Sequence, residues 1–153
     1  MNLTAWMFER RLRRAERLYD ELGLACEDLL WYRWDRWLGN APGAAWPRTQ
    51  HVQIVEIKPP RRKFLSRHTH VVIDGVKLPD RPRDMNAAQA KLLLDRRDEM
   101  ALLLKLLKAA QTEVKARQLS EQAADRARSQ EHQRHAEETE RERVAAVREL
   151  TQH

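Results

Sequence analysis

A chain of 153 residues has room for one ordinary domain or a small domain with an appendage, and with 34% charged residues against 42% hydrophobic it is too polar for one core to hold it all. Four glycines are too few for a turn-rich all-β fold, and a single cysteine, Cys26, excludes an internal disulfide and points to a reducing compartment. The net charge of +6 is local: residues 1–45 carry 7 Arg and 7 acidic side chains, residues 84–153 carry 13 basic and 13 acidic, and residues 46–83 hold the whole excess with 9 basic against 3 acidic.

The first segment reads as helix. From Thr4, a candidate N-cap, apolar residues recur at Phe8, Leu12, Ala15, Tyr19, Leu22, Cys26 and Leu29 at intervals of three and four. Gly23 is a point where this helix would bend or split. The pattern ends in LLWYRWDRWLG, which places Leu30, Trp34 and Trp37 on one helical face with Trp31 beside them, and Gly39 and Pro42 then stop it. Four of the five tryptophans lie between Trp31 and Trp46. Such side chains either cap a core where helix meets sheet or, alternating with Arg33 and Arg36, form a docking surface for a partner protein.

The second segment reads as a small antiparallel sheet. HVQIVEI, residues 51–57, is rich in β-branched residues and is closed by Pro59 and Pro60. Residues 64–73 form a second extended run. Asp74-Gly75 between Ile73 and Val76 is the favoured two-residue type I′ hairpin turn, because both central positions need a positive φ. A third strand ends near Leu78. A meander of this size is marginal alone and should pack on the first helix.

No Gly or Pro occurs from Arg83 to His153, and Asp84 or Asn86 is available as an N-cap. An unbroken helix over this stretch would approach about 100 Å at 1.5 Å per residue. Leu93, Met100, Leu107 and Val114 recur every seven residues with Leu103 and Ala110 between, as in a coiled-coil seam, while Leu102, Leu104 and Leu106 widen the apolar face beyond one seam, so this part should contact both the first helix and another chain or helix. Beyond Lys115 large apolar residues almost vanish until Val144, Val147 and Leu150 form a patch near the far end. The stretch around Met85 to Arg97 resembles a leucine-zipper basic region in its Asn-Ala-Ala and its later Arg pair. Asp84, Asp95 and Asp98 interrupt the basic run such a region requires, so the chain is not placed in that family.

Chemistry-bearing motifs are few. Arg61, Arg62, Lys63 and Arg67 with His68 and His70 make a compact cationic ribbon suited to phosphates or to an acidic protein. It carries one aromatic, Phe64, where base-stacking modules carry several. His68 and His70 share a strand face that His51 would have to join to hold zinc, and the adjacent arginines oppose a cation, so no metal or cofactor is expected. His132 and His135 lack the carboxylate spacing of a di-iron helix pair. There is no Gly-rich phosphate loop, nucleophile elbow or Cys/His pair, so the sequence predicts a non-enzyme.

No run nears the roughly 18 consecutive apolar residues of a membrane span, and the arginines of the first fourteen residues precede no apolar core of a targeting signal. The expected location is therefore the cytoplasm or the inside of a larger assembled particle, with no secretion and no membrane contact. The expected architecture is α+β: a head over residues 1–83, made of a helical segment and a three-stranded antiparallel meander, then a very long projecting helix over 84–153. The expected function is structural, an assembly or adaptor component of a larger complex such as a phage-like particle. It would dock through Trp31, Trp34 and Trp37 and associate, as a homo- or hetero-oligomer, through Leu93, Met100, Leu103 and Leu107 and the patch of Val144, Val147 and Leu150. The alternative is a nucleic-acid-binding accessory protein that presents the basic ribbon of residues 58–70 from a helix-mediated dimer.

Overall fold

The computed structural model describes residues 2–39, 45–57 and 68–152. The first element, α1 (Leu3–Trp31), is a single helix of 29 residues that runs through Gly23 without a break. Its N-cap is Asn2, whose side chain accepts from the Thr4 backbone N–H at 3.1 Å, so the cap lies two residues before the one expected. Ala15, Tyr19, Leu22, Ala25, Cys26 and Leu29 form its buried stripe, which is the three-and-four spacing made physical. The helix closes at Tyr32, and Arg33 then takes a left-handed conformation, φ 52° and ψ 57°. That reversal starts a short second helix, α2 (Trp34–Leu38).

The sheet has three antiparallel strands in the order β1 (Val52–Ile57), β2 (His68–Ile73) and β3 (Val76–Lys77). Val52 lies opposite Ile73 and Ile54 opposite Val71, and all four side chains are buried, so one face of the β1–β2 pair is the sheet's share of the core. The turn is the one expected: Asp74 has φ 51°, Gly75 has φ 77°, and Ile73 pairs with Val76 across it. β3 is two residues long, shorter than the run to Leu78. Leu78 instead leaves the strand to enter the core, 1% exposed, while its N–H still donates to the Val71 carbonyl at 3.2 Å.

A 3₁₀ turn at Pro82–Asp84 leads to α3 (Ala87–Asp95) and then α4 (Arg97–Thr151), a helix of 55 residues. Asn86 caps α3 through a capping box: its side chain accepts from the Gln89 N–H at 2.9 Å, and Gln89 Oε1 accepts from the Asn86 N–H at 3.0 Å. The long helical stretch is thus interrupted once, at Arg96. Backbone hydrogen bonds still cross the break, from the Arg96 N–H to the Leu92 carbonyl and from the Met100 N–H to the Arg96 carbonyl.

By packing, the chain divides into two units, Met1–Val114 and Lys115–His153. The first contains the sheet, α1 to α3 and the opening turns of α4. Its core joins Leu22, Leu29, Val52, Ile73, Leu78 and Leu93 to Met100, Leu103, Leu107 and Val114. Among the described residues no polar or charged residue is buried. The second unit is the rest of α4, and none of its described residues is buried. No helix among the described residues is long and apolar enough to cross a membrane.

Candidate functional site

The tryptophan segment divides at Arg33. Trp31, the last residue of α1, is 83% exposed, whereas Trp34, just after the reversal, is 6% exposed. A left-handed non-glycine costs about 1–2 kcal/mol. Burying an indole removes roughly 150–250 Å² from water, several kcal/mol at about 25 cal/mol per Å², so the reversal that turns Trp34 inward is favoured. Trp34 packs against Trp46, ring centroids 4.8 Å apart and planes tilted by 54°, and Trp46 Nε1 donates to Glu56 Oε2 of β1 at 3.2 Å. Trp37 is half-buried against the core, with the Arg36 guanidinium 5.7 Å from its ring centroid. The three residues expected on one docking face are therefore separated: Trp34 belongs to the core, Trp37 to its margin, and Trp31 alone stands fully in solvent.

The heptad residues are separated from their expected role in a similar way. Leu93, Met100, Leu103 and Leu107 are each 0% exposed inside the first unit, where they are consumed by the chain's own core. They leave no exposed seam for another chain. Their neighbours Leu102 and Leu106 are 52% and 42% exposed. In the second unit Val144, Val147 and Leu150 are 39%, 52% and 80% exposed, an apolar patch on a helix whose other described residues there are mostly charged or polar.

Of the basic ribbon, Arg61, Arg62, Lys63 and Arg67 lie outside the described residues. His68 is exposed at the start of β2. His70 is half-buried, its Nδ1 3.1 Å from Asp80 Oδ1 but without hydrogen-bond geometry. In the strand register His70 faces Val55 and His68 faces Ile57, so His51 does not join them. His51 turns instead to α4: its ring Nδ1 lies 2.9 Å from Glu99 Oε2, and its backbone N–H donates to Glu99 Oε1 at 3.1 Å. Burial works to raise the Glu99 carboxyl, but the hydrogen bonds from His51 and Thr49 outweigh it and hold the group below its ordinary value. Among the described residues no cluster of three or more His, Cys, Asp or Glu is placed to hold a metal ion.

Two buried reactive groups serve packing. The Cys26 thiol is pushed up to about 12, mainly by burial and partly offset by a hydrogen bond with Thr69. Tyr19 donates its hydroxyl to the Pro79 carbonyl, and burial with nearby Asp80 and Asp20 raises it well above the usual phenol range.

One exposed feature was hidden by the charge totals. The solvent face of α1 carries Arg10, Arg13, Arg14 and Arg17 with Glu9 in its first half and Asp20, Glu21 and Glu27 in its second, all exposed. Trp6 begins this face, 46% exposed, with the Arg10 guanidinium 5.3 Å from its ring centroid, and Trp31 ends it. Summed over residues 1–45 the charges cancel, which concealed their separation along the helix. The order of signs in ERRLRRAERLYDE was the signal that would have found it.

No family model matches the chain, and no curated protein or solved structure gives a significant match either.

Proposed function

We propose that this chain is a non-enzymatic assembly or adaptor protein, in which a compact α+β unit is joined to a helix that engages a partner. The observation that carries the reading is the second unit. Its described residues 115–151 are continuous helix, and none of them is buried. Isolated helices gain little from propensity and from pairs such as Arg128 with Asp125 and Arg143 with Glu140, about 0.2–0.5 kcal/mol each. An amphipathic patch at Val144, Val147 and Leu150 is then best explained as the contact that a partner covers.

The test compares full-length wild type with a Val147→Asp, Leu150→Asp variant, each tagged and recovered from the cells that make it, with bound proteins quantified by mass spectrometry. The reading expects at least one protein recovered in stoichiometric amount with wild type and depleted about tenfold or more with the variant. Equal recovery by both chains overturns it.

A second reading is nucleic-acid contact through the central segment, supported by its 9 basic against 3 acidic side chains. Filter binding at low and moderate salt with an Arg61→Ala, Arg62→Ala, Lys63→Ala variant tests it. Equal binding by variant and wild type removes it.

A further inference from the structure

We infer that the solvent face of α1 pairs, antiparallel and about a two-fold axis, with the same face of a second copy of the chain. The inference rests on the assembly reading above and assigns the surface for self-association, which that reading leaves open. Trp6, Arg10, Arg13, Arg17, Asp20, Leu24, Glu27 and Trp31 follow one another at alternating intervals of four and three, the period that keeps one stripe facing a neighbouring helix. Every one of them is exposed, on the side of α1 away from the buried Ala15, Tyr19, Leu22 and Cys26.

The stripe is complementary to its own reverse at three of its four oppositions. When a second α1 is laid antiparallel, with the axis beside Leu18 and Tyr19, Trp6 comes opposite Trp31 of the second copy and Arg10 opposite its Glu27. Arg13 then meets Leu24 of the second copy and Arg17 meets its Asp20. Two-fold symmetry makes each opposition occur twice, since residue i meets j and j meets i. No ion pair within the described residues engages Arg10, Arg13, Arg17, Asp20 or Glu27, so these charges are available to a second chain.

Parallel pairing would stack arginine on arginine and is disfavoured by like-charge repulsion. A nucleic-acid backbone would be drawn to Arg10, Arg13 and Arg17 but repelled by Asp20 and Glu27 on the same line, so the observations favour a protein surface that reverses sign where this one does. The ion pairs set register and orientation, and the indoles, with Trp31 83% and Trp6 46% exposed, supply the apolar area. A dimer of this kind weakens as salt screens the charge pairs.

Sedimentation equilibrium of the full chain tests the pairing, on wild type, Arg10→Glu, Glu27→Arg and the double variant, with circular dichroism confirming that each is folded. Wild type is expected to dimerise with a dissociation constant on the order of 10–100 μM. Each single reversal should weaken the dimer about tenfold, and the double variant, which restores opposite charges, should return to within about threefold of wild type. Three results would each overturn the pairing: a wild type monomeric to about 500 μM, single reversals without effect, or a double variant no stronger than the singles. A monomeric chain that retards duplex DNA through Arg10 and Arg13 also overturns it, in favour of nucleic acid. The assembly reading fails separately, on the Val147 and Leu150 capture, which involves no residue of α1.

Discussion

Arg96 grips Asp74 with two parallel hydrogen bonds, Nε to Oδ2 at 3.0 Å and Nη2 to Oδ1 at 3.1 Å, so the break between α3 and α4 is tied to the turn between β2 and β3. The fork matches guanidinium to carboxylate in the geometry that gives such pairs direction as well as attraction. Asp74 in turn donates its backbone N–H to the His51 carbonyl at 2.9 Å, and Glu99, one helical turn beyond Arg96, holds His51. The hairpin and the start of α4 are therefore locked along one edge of the sheet.

Arg96→Gln should loosen that edge without unfolding the core, because both partners are partly exposed. The expected result is faster hydrogen exchange at the Asp74 amide, with exchange at buried α1 amides such as that of Leu22 unchanged. Uniform acceleration at both would mean that the pair acts on global stability instead.

Gly75 sits at φ 77° in the turn, and a Cβ placed there would meet nothing within 4 Å. The cost of Gly75→Ala is therefore backbone strain alone, about 1 kcal/mol. Urea unfolding should show that loss, and Gly75→Asn should recover part of it because asparagine tolerates the left-handed region. Equal losses for the two would contradict the turn geometry.

Leu102 and Leu103 are adjacent and chemically identical but oppositely placed, 52% and 0% exposed. Leu103→Ala should cost about 2–5 kcal/mol, whereas Leu102→Ala should stay within about 0.5 kcal/mol. Denaturant midpoints decide this directly. The same placement means that Leu103→Asp destabilises the folded unit and does not report on association between chains.

Glu99 has a depressed carboxyl in the folded chain, so near its ordinary titration range the unfolded state binds more protons. Its contribution to stability is present above the unfolded value and is lost as pH falls through the lower folded value. Glu99→Gln should accordingly flatten the acid limb of a stability profile below about pH 5. Unchanged steepness in that range would show that the His51 contact does not couple to folding.

Cys26 combines complete burial with a thiol pushed up to about 12. At neutral pH that leaves about three orders of magnitude less thiolate than an ordinary cysteine. Alkylation by iodoacetamide should be slow in the native chain and fast in urea. Rapid native labelling would require that the α1–sheet interface opens readily.

What the sequence by itself determined was decided by atoms a few residues apart. Asn86 and Gln89 complete a capping box across three positions, Asp74-Gly75 makes its turn from its own backbone preferences, and the absence of Gly and Pro after Arg83 leaves helix as the favoured state. The apolar intervals of α1 likewise named its buried side before any neighbour was known. The tertiary structure decided whatever needed a partner far along the chain. The interruption at Arg96 accompanies Asp74, twenty-two residues earlier, and no local pattern marks it. The heptad that runs from Leu93 in α3 into α4 had two valid readings, a seam for a second chain or a face for this one, until the fold placed it in the core. Trp31 and Trp34 look alike in sequence because composition cannot register the reversal at Arg33 that sends one to water and the other to the core. Short-range hydrogen bonding and backbone sterics are legible in order along the chain. Which face is buried is settled by distant surfaces that must be removed from water together.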